Sequence, residues 1–218
     1  LIMSELSLQN ITKSFGNITA LKDISFTVND GEFFVLLGPT GAGKTTTLRV
    51  IAGLEKPESG HVLFNKIISD SLSPADRDVA IVFQQYSLYP TMSVYENMAF
   101  PLRAPGRKLP EPKIKEMINE AAEKLRITHL LNRKTAQLSG GEMQRVSIGR
   151  AIVRRPHVFL MDEPLSNLDA KLREALRVEL KHLQKGEGIT TLYVTHDQIE
   201  AFTMADRIGI LDRGKLVQ

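Results

Sequence analysis

The clearest absences in this sequence concern sulfur and aromatic side chains. The 218 residues include no cysteine, which excludes disulfide frameworks and thiolate metal sites and is compatible with a reducing compartment. There is no tryptophan, and only 6% of the residues are aromatic, so little supports an aromatic binding platform. The five histidines are scattered, and no two have the spacing of a metal-binding pair.

Long apolar runs are absent as well. None reaches the roughly 18 residues that a membrane-spanning helix requires. The N-terminus lacks the basic segment followed by an apolar core that marks a signal peptide. The sequence predicts a protein that is cytosolic in its own right, so any role at a membrane needs a partner.

The excess of positive charge is small. The formal net charge is +3 and the pI is about 9.1, values that a solvated surface of lysine and arginine explains. The densest basic stretch, residues 103–115, is interrupted by prolines, which indicates a loop leading into a helix. We therefore predict no nucleic-acid partner.

Strand and helix patterns alternate along most of the chain. Phe33–Leu37 and Val158–Met161 are continuous apolar runs, typical of strands buried on both faces. Segments with helical spacing occur between strands, among them 112–131 and 170–185. This alternation predicts an α/β fold with a parallel sheet, and the helical stretch of about 88–156 indicates an inserted subdomain.

A phosphate-binding pattern follows the first apolar strand. Residues 38–45, GPTGAGKT, match G-x-x-x-x-G-K-[ST] between a predicted strand and a predicted helix. Glycines let backbone N–H groups turn toward one anion, and the helix start adds unpaired donors. Lys44 can reach the β- and γ-phosphates, and the Thr45 hydroxyl can ligate Mg²⁺. The predicted nucleotide-binding residues here are Gly38, Pro39, Thr40, Gly41, Ala42, Gly43, Lys44, Thr45 and Thr46.

This pattern alone leaves a kinase, a GTPase and a motor ATPase open. Recognition of guanine often uses Asn-Lys-x-Asp. The run most similar to it, Asn65-Lys66-Ile67-Ile68, lacks the aspartate and gives no support for GTP.

Two carboxylates follow the apolar strand at 158–161. In a parallel sheet the carboxyl ends of the strands face the ligand crevice, so Asp162 and Glu163 are predicted to lie there. Successive strand residues point in opposite directions, which indicates different tasks. Asp162 suits the Mg²⁺ shell, and Glu163 can align and deprotonate an attacking water.

A second helix start is also suited to bind an anion. Ser139, followed by Glu142 three residues later, forms a capping box pattern, and Gly140 and Gly141 expose backbone N–H groups at the same place. The chain thus carries two anion-binding helix starts.

With these motifs in order, the sequence resembles ATPase subunits of ABC transporters, whose signature motif L-S-G-G-Q is matched here by Leu138-Ser139-Gly140-Gly141-Glu142. The resemblance covers essentially all 218 residues. It implies one ATPase domain over residues 1–218, a P-loop NTPase with a RecA-like parallel-sheet core, an antiparallel β subdomain and an inserted α-helical subdomain. In that family two subunits pair head to tail, and each ATP lies between one P-loop and the other subunit's signature motif.

The resemblance also implies roles for residues outside these motifs. Gln84 matches the Q-loop glutamine, which senses the γ-phosphate and Mg²⁺, and is expected to be catalytic and a metal ligand. His196 matches the switch histidine that contacts the γ-phosphate. Asp169, in the run Ser166–Asp169, matches the D-loop near the dimer interface. Phe15 matches the aromatic residue that stacks on adenine.

Within the family, the chain resembles the maltose-type group of carbohydrate importers. Leu88-Tyr89-Pro90 and the later run Ser93-Val94-Tyr95-Glu96-Asn97-Met98 carry this likeness. It implies a second ATPase subunit, integral-membrane permease subunits and, indirectly, a solute-binding protein as partners, at the cytoplasmic face of the cell membrane. The alternatives are an importer of polyamine, iron or sulfate, a non-transport ABC ATPase acting on nucleic acid or ribosomes, and a small-molecule P-loop kinase.

Two departures from this group are visible. Glu142 replaces the usual signature glutamine and brings an acid near a triphosphate, which opposes binding unless the capping box directs it away. The sequence reaches Gln218 soon after its last strand, so the C-terminal regulatory domain of maltose-type subunits is expected to be absent from this chain, which is then either a piece of a longer protein or a short relative.

Overall fold

The computed structural model describes residues 4–104 and 106–218. Its strands are β1 (Leu6–Phe15), β2 (Ile18–Val28), β3 (Phe33–Leu37), β4 (Ser59–Phe64), β5 (Ile67–Ile68), β6 (Val79–Val82), β7 (Val158–Asp162), β8 (Thr190–Thr195), β9 (Arg207–Asp212) and β10 (Lys215–Leu216). Its α-helices are α1 (Lys44–Ile51), α2 (Val94–Ala99), α3 (Glu111–Lys124), α4 (Gly140–Ile152), α5 (Ala170–Glu187) and α6 (Gln198–Met204). Short 3₁₀-helices occur at Phe100–Leu102, Thr128–Leu130 and Thr135–Gln137.

The chain packs as two compact units. The sheet unit consists of Leu1–Ile81, His157–Glu163 and Leu180–Gln218, described from Ser4 onward. The helical unit consists of Val82–Pro156 and Pro164–Glu179.

In the larger sheet, three strands end at the same edge of the sheet unit. In the described part of the chain its strand order is β10-β9-β3-β8-β7-β6. β3 pairs in parallel with β8 and β9, and β7 pairs in parallel with β8. The register places Leu37 beside Thr195 and Asp162 beside Val194, so β3, β7 and β8 end at the same edge. The predicted α/β class with a parallel sheet is confirmed.

The smaller sheet is antiparallel, with the order β2-β1-β4-β5 among the described residues. Apolar side chains of both sheets and of α1 form one buried cluster, which includes Leu8, Ile24, Leu36, Leu48 and Leu160. Burial of such side chains stabilises each by roughly 1.5–3 kcal/mol relative to exposure. Leu48, Val50 and Ile51 of α1 belong to this cluster, so packing against the sheets positions the helix that begins after β3.

In the helical unit, α3 is shorter than the periodicity predicts. The sequence predicts a helix over 112–131, but the helix ends at Lys124. Arg126 adopts a positive φ of 56°, its N–H bonds the carbonyl of Glu123, and the N–H of Ile127 bonds the carbonyl of Ala122. This is a Schellman end, usually marked by glycine. Because arginine occupies this position, the sequence lacks the glycine that would predict the end of the helix.

No helix among the described residues combines the length and apolar character needed to cross a bilayer.

Candidate active site

The loop between β3 and α1 requires its glycines for two different reasons. A Cβ on Gly38 would lie 2.2 Å from the carbonyl oxygen of Leu211, and a Cβ on Gly43 would lie 2.6 Å from that of Ala20. Gly41 has open space around it but a φ of +79°, which L side chains rarely adopt. The loop is thus pressed against the sheet unit at both ends, and α1 begins directly after a residue with no capping side chain. Its first N–H groups remain suited to an anion.

Lys44, the first residue of α1, is a buried cation whose ammonium group contacts this loop. Its Nζ donates hydrogen bonds to the carbonyls of Gly38 at 2.9 Å and Pro39 at 3.0 Å. It also forms an ion pair with Oε1 of Glu163 at 3.1 Å, and only 5% of the side chain is exposed. Because a buried ammonium needs partners, these three oxygens stabilise the charge beside the loop.

Thr45 and Asp162 place two oxygen donors side by side. The Thr45 hydroxyl donates to Oδ1 of Asp162 at 3.0 Å. Burial raises the pKa of the Asp162 carboxyl, and the hydrogen bond from Thr45 opposes that rise. The pair is a compact arrangement of hard oxygen ligands at the end of β7.

Glu163 connects the lysine to the histidine. Its Oε1 faces Lys44, and its Oε2 lies 2.8 Å from Nδ1 of His196. Its backbone has a positive φ of 44°, and its N–H donates to the carbonyl of Val194 at 3.1 Å. A non-glycine residue in this region is strained, and such strain concentrates at functional sites. The turn directs the carboxylate toward both partners.

Phe15 lies at the end of β1 with 45% of its surface exposed. The Nζ of Lys13 is 4.8 Å from the ring centroid, and it also pairs with Glu55 at 3.3 Å. The exposed ring is thus in contact with a cation.

Gln84, Asp169 and the residues at the start of α4 belong to the helical unit. The carbonyl of Gln84 accepts a hydrogen bond from Nδ2 of Asn167 at 2.9 Å. Oδ1 of Asp169 accepts from the N–H of Leu172 at 3.0 Å and so caps the start of α5. A Cβ on Gly141 would lie 2.4 Å from a methyl carbon of Leu172, so packing also favours glycine there.

Glu142 is turned toward its own helix start. Its Oε2 accepts hydrogen bonds from the N–H and the hydroxyl of Ser139, both at 2.8 Å, and its own N–H faces the Ser139 oxygen. These contacts lower the pKa of the Glu142 carboxyl. The capping box therefore directs the Glu142 carboxylate onto Ser139. In this orientation the acid does not oppose an anion bound at the start of α4.

The structure thus brings together five of the predicted residues in the sheet unit: Lys44, Thr45, Asp162, Glu163 and His196. Gln84, Ser139, Gly140, Gly141 and Asp169 are in the helical unit. Sequence reasoning missed the link from Asn167 to Gln84 and the buried contacts of Thr195 and Glu200 behind His196. A sequence signal for Glu200 did exist. Asp197 caps α6, and Glu200 is the acidic residue three positions later.

Comparison with known proteins gives consistent findings. Residues 21–166 match the model of the ABC transporter family. The chain is 56% identical to the trehalose/maltose import ATP-binding protein MalK of Thermococcus litoralis, with 99% of this chain and 59% of that protein covered. It is 53% identical to the sn-glycerol-3-phosphate import ATP-binding protein UgpC of Brucella abortus, with 99% and 61% covered. The xylose/arabinose import ATP-binding protein XacK of Haloferax volcanii is 52% identical, with 99% and 57% covered. The chain spans about three fifths of the length of these relatives.

Solved structures of similar fold include the ADP conformation of MJ1267, an ATP-binding cassette of an ABC transporter. Its TM-score is 0.89 at 29% identity, with 99% of this chain and 90% of that chain covered. A dimeric structure of the cassette MJ0796 in a post-hydrolysis state bound to ADP and Pi has a TM-score of 0.85 at 33% identity, with 98% and 97% covered.

Proposed function

The chain belongs to the ABC transporter family, and from this premise we propose that it binds ATP with Mg²⁺ and hydrolyses ATP to drive an importer of carbohydrates. The observation that carries this proposal is the group of side chains that meet at one sheet edge. Lys44 pairs with Glu163, Glu163 contacts His196, and Thr45 contacts Asp162. These residues include a cation for phosphate, an acceptor for a proton and two oxygen ligands for a metal.

The residues present fit a nucleotide bound with Mg²⁺. The loop at 38–43 approaches the sheet unit so closely that only glycine is accommodated at two positions, which leaves its backbone N–H groups and the start of α1 for phosphate oxygens. Thr45 and Asp162 would hold Mg²⁺, which keeps several waters and phosphate oxygens in its shell when proteins supply one or two ligands. When bound, Mg²⁺ would neutralise charge on the phosphates.

Each side chain then has a defined task. Lys44 would stabilise charge on the β- and γ-phosphates, since hydrogen bonds to two carbonyls of the phosphate loop hold its Nζ there. Glu163 would align the attacking water and accept its proton. His196 would hold Glu163 through Nδ1 and contact the γ-phosphate. Phosphoryl transfer depends mainly on such positioning and charge stabilisation.

A second copy or a close paralogue would complete each site. The two anion-binding helix starts, at Lys44 and Gly140, belong to different units of the chain. Head-to-tail pairing would place the signature residues Ser139, Gly140 and Gly141 of one subunit over the ATP held by the other, with Asp169 near the interface.

The names of the relatives favour carbohydrates and related polyols as the imported class. They are import ATP-binding proteins for trehalose/maltose, sn-glycerol-3-phosphate and xylose/arabinose. We further propose that this chain acts at the cytoplasmic face of the membrane, bound to permease subunits that receive solute from a binding protein.

Two measurements test this function. The purified chain is expected to release phosphate from Mg-ATP in water without an acceptor, which a kinase would not do. Deletion of its gene is expected to reduce uptake of radiolabelled maltose, trehalose, xylose or glycerol-3-phosphate. Unchanged uptake of all four, with salt-dependent binding of the protein to duplex DNA, would instead favour a non-transport ATPase.

Two serines separate the signature role from ordinary helix capping. Ser139 and Ser93 both cap helices of the helical unit in a capping box with a glutamate three residues later. Ser139→Ala and Ser93→Ala are each expected to lower the free energy of unfolding by about 1 kcal/mol, because each removes one cap. Only Ser139→Ala is expected to lower ATP turnover of the folded protein. Equal turnover in the two variants, measured as phosphate release, would show that Ser139 serves only as a cap.

A further inference from the structure

Glu200 is a buried charged residue to which the proposed mechanism gives no task. It lies in the first turn of α6 in the sheet unit, with 3% of its surface exposed. Its Oε2 accepts hydrogen bonds from the hydroxyl of Tyr193 at 2.8 Å and from the hydroxyl of Thr195 at 2.7 Å. Burial raises the pKa of the Tyr193 hydroxyl well above its ordinary value, so this donor remains protonated. Burial of a carboxylate is unfavourable without such donors, and these two satisfy the shared oxygen.

The same carboxylate fixes the backbone on both sides of His196. Thr195 donates its hydroxyl proton to Glu200 and accepts a hydrogen bond from the N–H of Asp197 at 3.0 Å. Oδ1 of Asp197 accepts from the N–H groups of Ile199 at 2.7 Å and Glu200 at 3.2 Å. The residues before and after His196 are therefore bonded to each other and to Glu200.

The side chain of His196 depends on this backbone arrangement for its position. Its ring is 53% exposed, so burial contributes little to holding it. Its Nδ1 lies 2.8 Å from Oε2 of Glu163. The carbonyl of Thr195 also accepts the N–H of Gly38 at 3.2 Å, at the start of the phosphate loop. A continuous series of hydrogen bonds thus runs from Glu200 through Thr195 to the residues that face the reaction.

We propose that Glu200 is a positioning residue for hydrolysis, which through Thr195 fixes the backbone of His196 and through His196 orients the carboxylate of Glu163. This inference rests on the proposed function only for the role of Glu163. Tyr193 donates to the same oxygen, and its ring packs against Phe33 within the buried strand β8. The Thr195 hydroxyl also bonds the N–H of Asp197, directly after His196, whereas the Tyr193 hydroxyl is bonded to Glu200.

This difference allows a matched test. Removal of Glu200 itself would leave two buried hydroxyls without their acceptor, so the variants to compare are Thr195→Val and Tyr193→Phe, each of which deletes one hydroxyl and preserves side-chain volume. Thr195→Val is expected to lower the kcat for ATP hydrolysis by about 10-fold or more, since small displacements of catalytic groups have large effects on rate. Tyr193→Phe is expected to keep kcat within about twofold. The Kd for ATP, measured separately by calorimetry, is expected to stay within a few fold in both.

A second comparison uses the His196→Ala variant as background. If Thr195 acts through His196, then Thr195→Val combined with His196→Ala is expected to be no slower than His196→Ala alone. In the histidine NMR spectrum, with the His196 signal assigned from His196→Ala, Thr195→Val is expected to shift that signal while Tyr193→Phe leaves it in place. Equal losses of kcat in the two hydroxyl variants, an unshifted His196 signal, or a full additional loss in the double variant would each overturn the inference. Absence of ATP hydrolysis by the unmodified chain would instead refute the proposed function, and the NMR comparison would still decide whether Thr195 positions His196.

Discussion

Glu163→Gln is expected to slow ATP hydrolysis by about 10²- to 10⁴-fold, the contribution typical of a general base. The amide has nearly the same shape as the carboxylate and can still accept a hydrogen bond from Lys44, but it cannot accept a proton from water. ATP should therefore remain bound between two subunits instead of being consumed. The measurements are phosphate release for turnover and light scattering for molecular mass, with a dimer expected in Mg-ATP and not in Mg-ADP.

Glu174→Gln is the matched control for this variant, because Glu174 is an exposed glutamate of α5. It makes the same chemical change and is expected to hydrolyse ATP at the unmodified rate. A Glu163→Gln protein that stays monomeric in Mg-ATP, while the unmodified protein hydrolyses ATP as a monomer, would contradict the two-subunit mechanism.

Lys44→Met is expected to weaken ATP binding by roughly 10- to 100-fold, since a hydrogen bond to a charged group contributes about 1.5–3 kcal/mol. Lys44 is almost fully buried, and its Nζ is held by the carbonyls of Gly38 and Pro39. Methionine fills a similar volume but has no charge and no donor. Calorimetry with Mg-ATP measures the affinity, and phosphate release should decline in parallel at low ATP concentration.

The control is Lys215→Met, at an exposed lysine of β10 in the same unit. It removes the same charge from the molecule and is expected to bind ATP normally. If Lys44→Met binds ATP as tightly as this control, Lys44 does not contact the phosphates. Its role would then be structural, namely to hold the loop through the carbonyls of Gly38 and Pro39. The contrast between Lys44→Met, which binds poorly, and Glu163→Gln, which binds but does not turn over, separates the two roles.

The sequence by itself determined the features that depend on near neighbours in the chain. A phosphate loop needs glycines, a lysine and a threonine at fixed spacing, because backbone donors and one helix start must meet the same anion. Buried parallel strands need continuous apolar runs, and Phe33–Leu37 and Val158–Met161 have them. The capping pattern of Ser139 and Glu142 likewise spans only three residues, so the local sequence is enough to predict it.

Only the tertiary structure decided which of these pieces meet. The pairing of Lys44 with Glu163, and of Glu163 with His196, depends on the order and register of β3, β7 and β8, which no local pattern encodes. In the sequence, Glu200 is one more acidic residue of a short helix. Its burial between Tyr193 and Thr195 arises because β8 and α6 fold onto each other, and a buried carboxylate must find its donors there. Local backbone interactions can be predicted from adjacent residues, whereas contacts between distant side chains depend on the packing of the whole sheet unit.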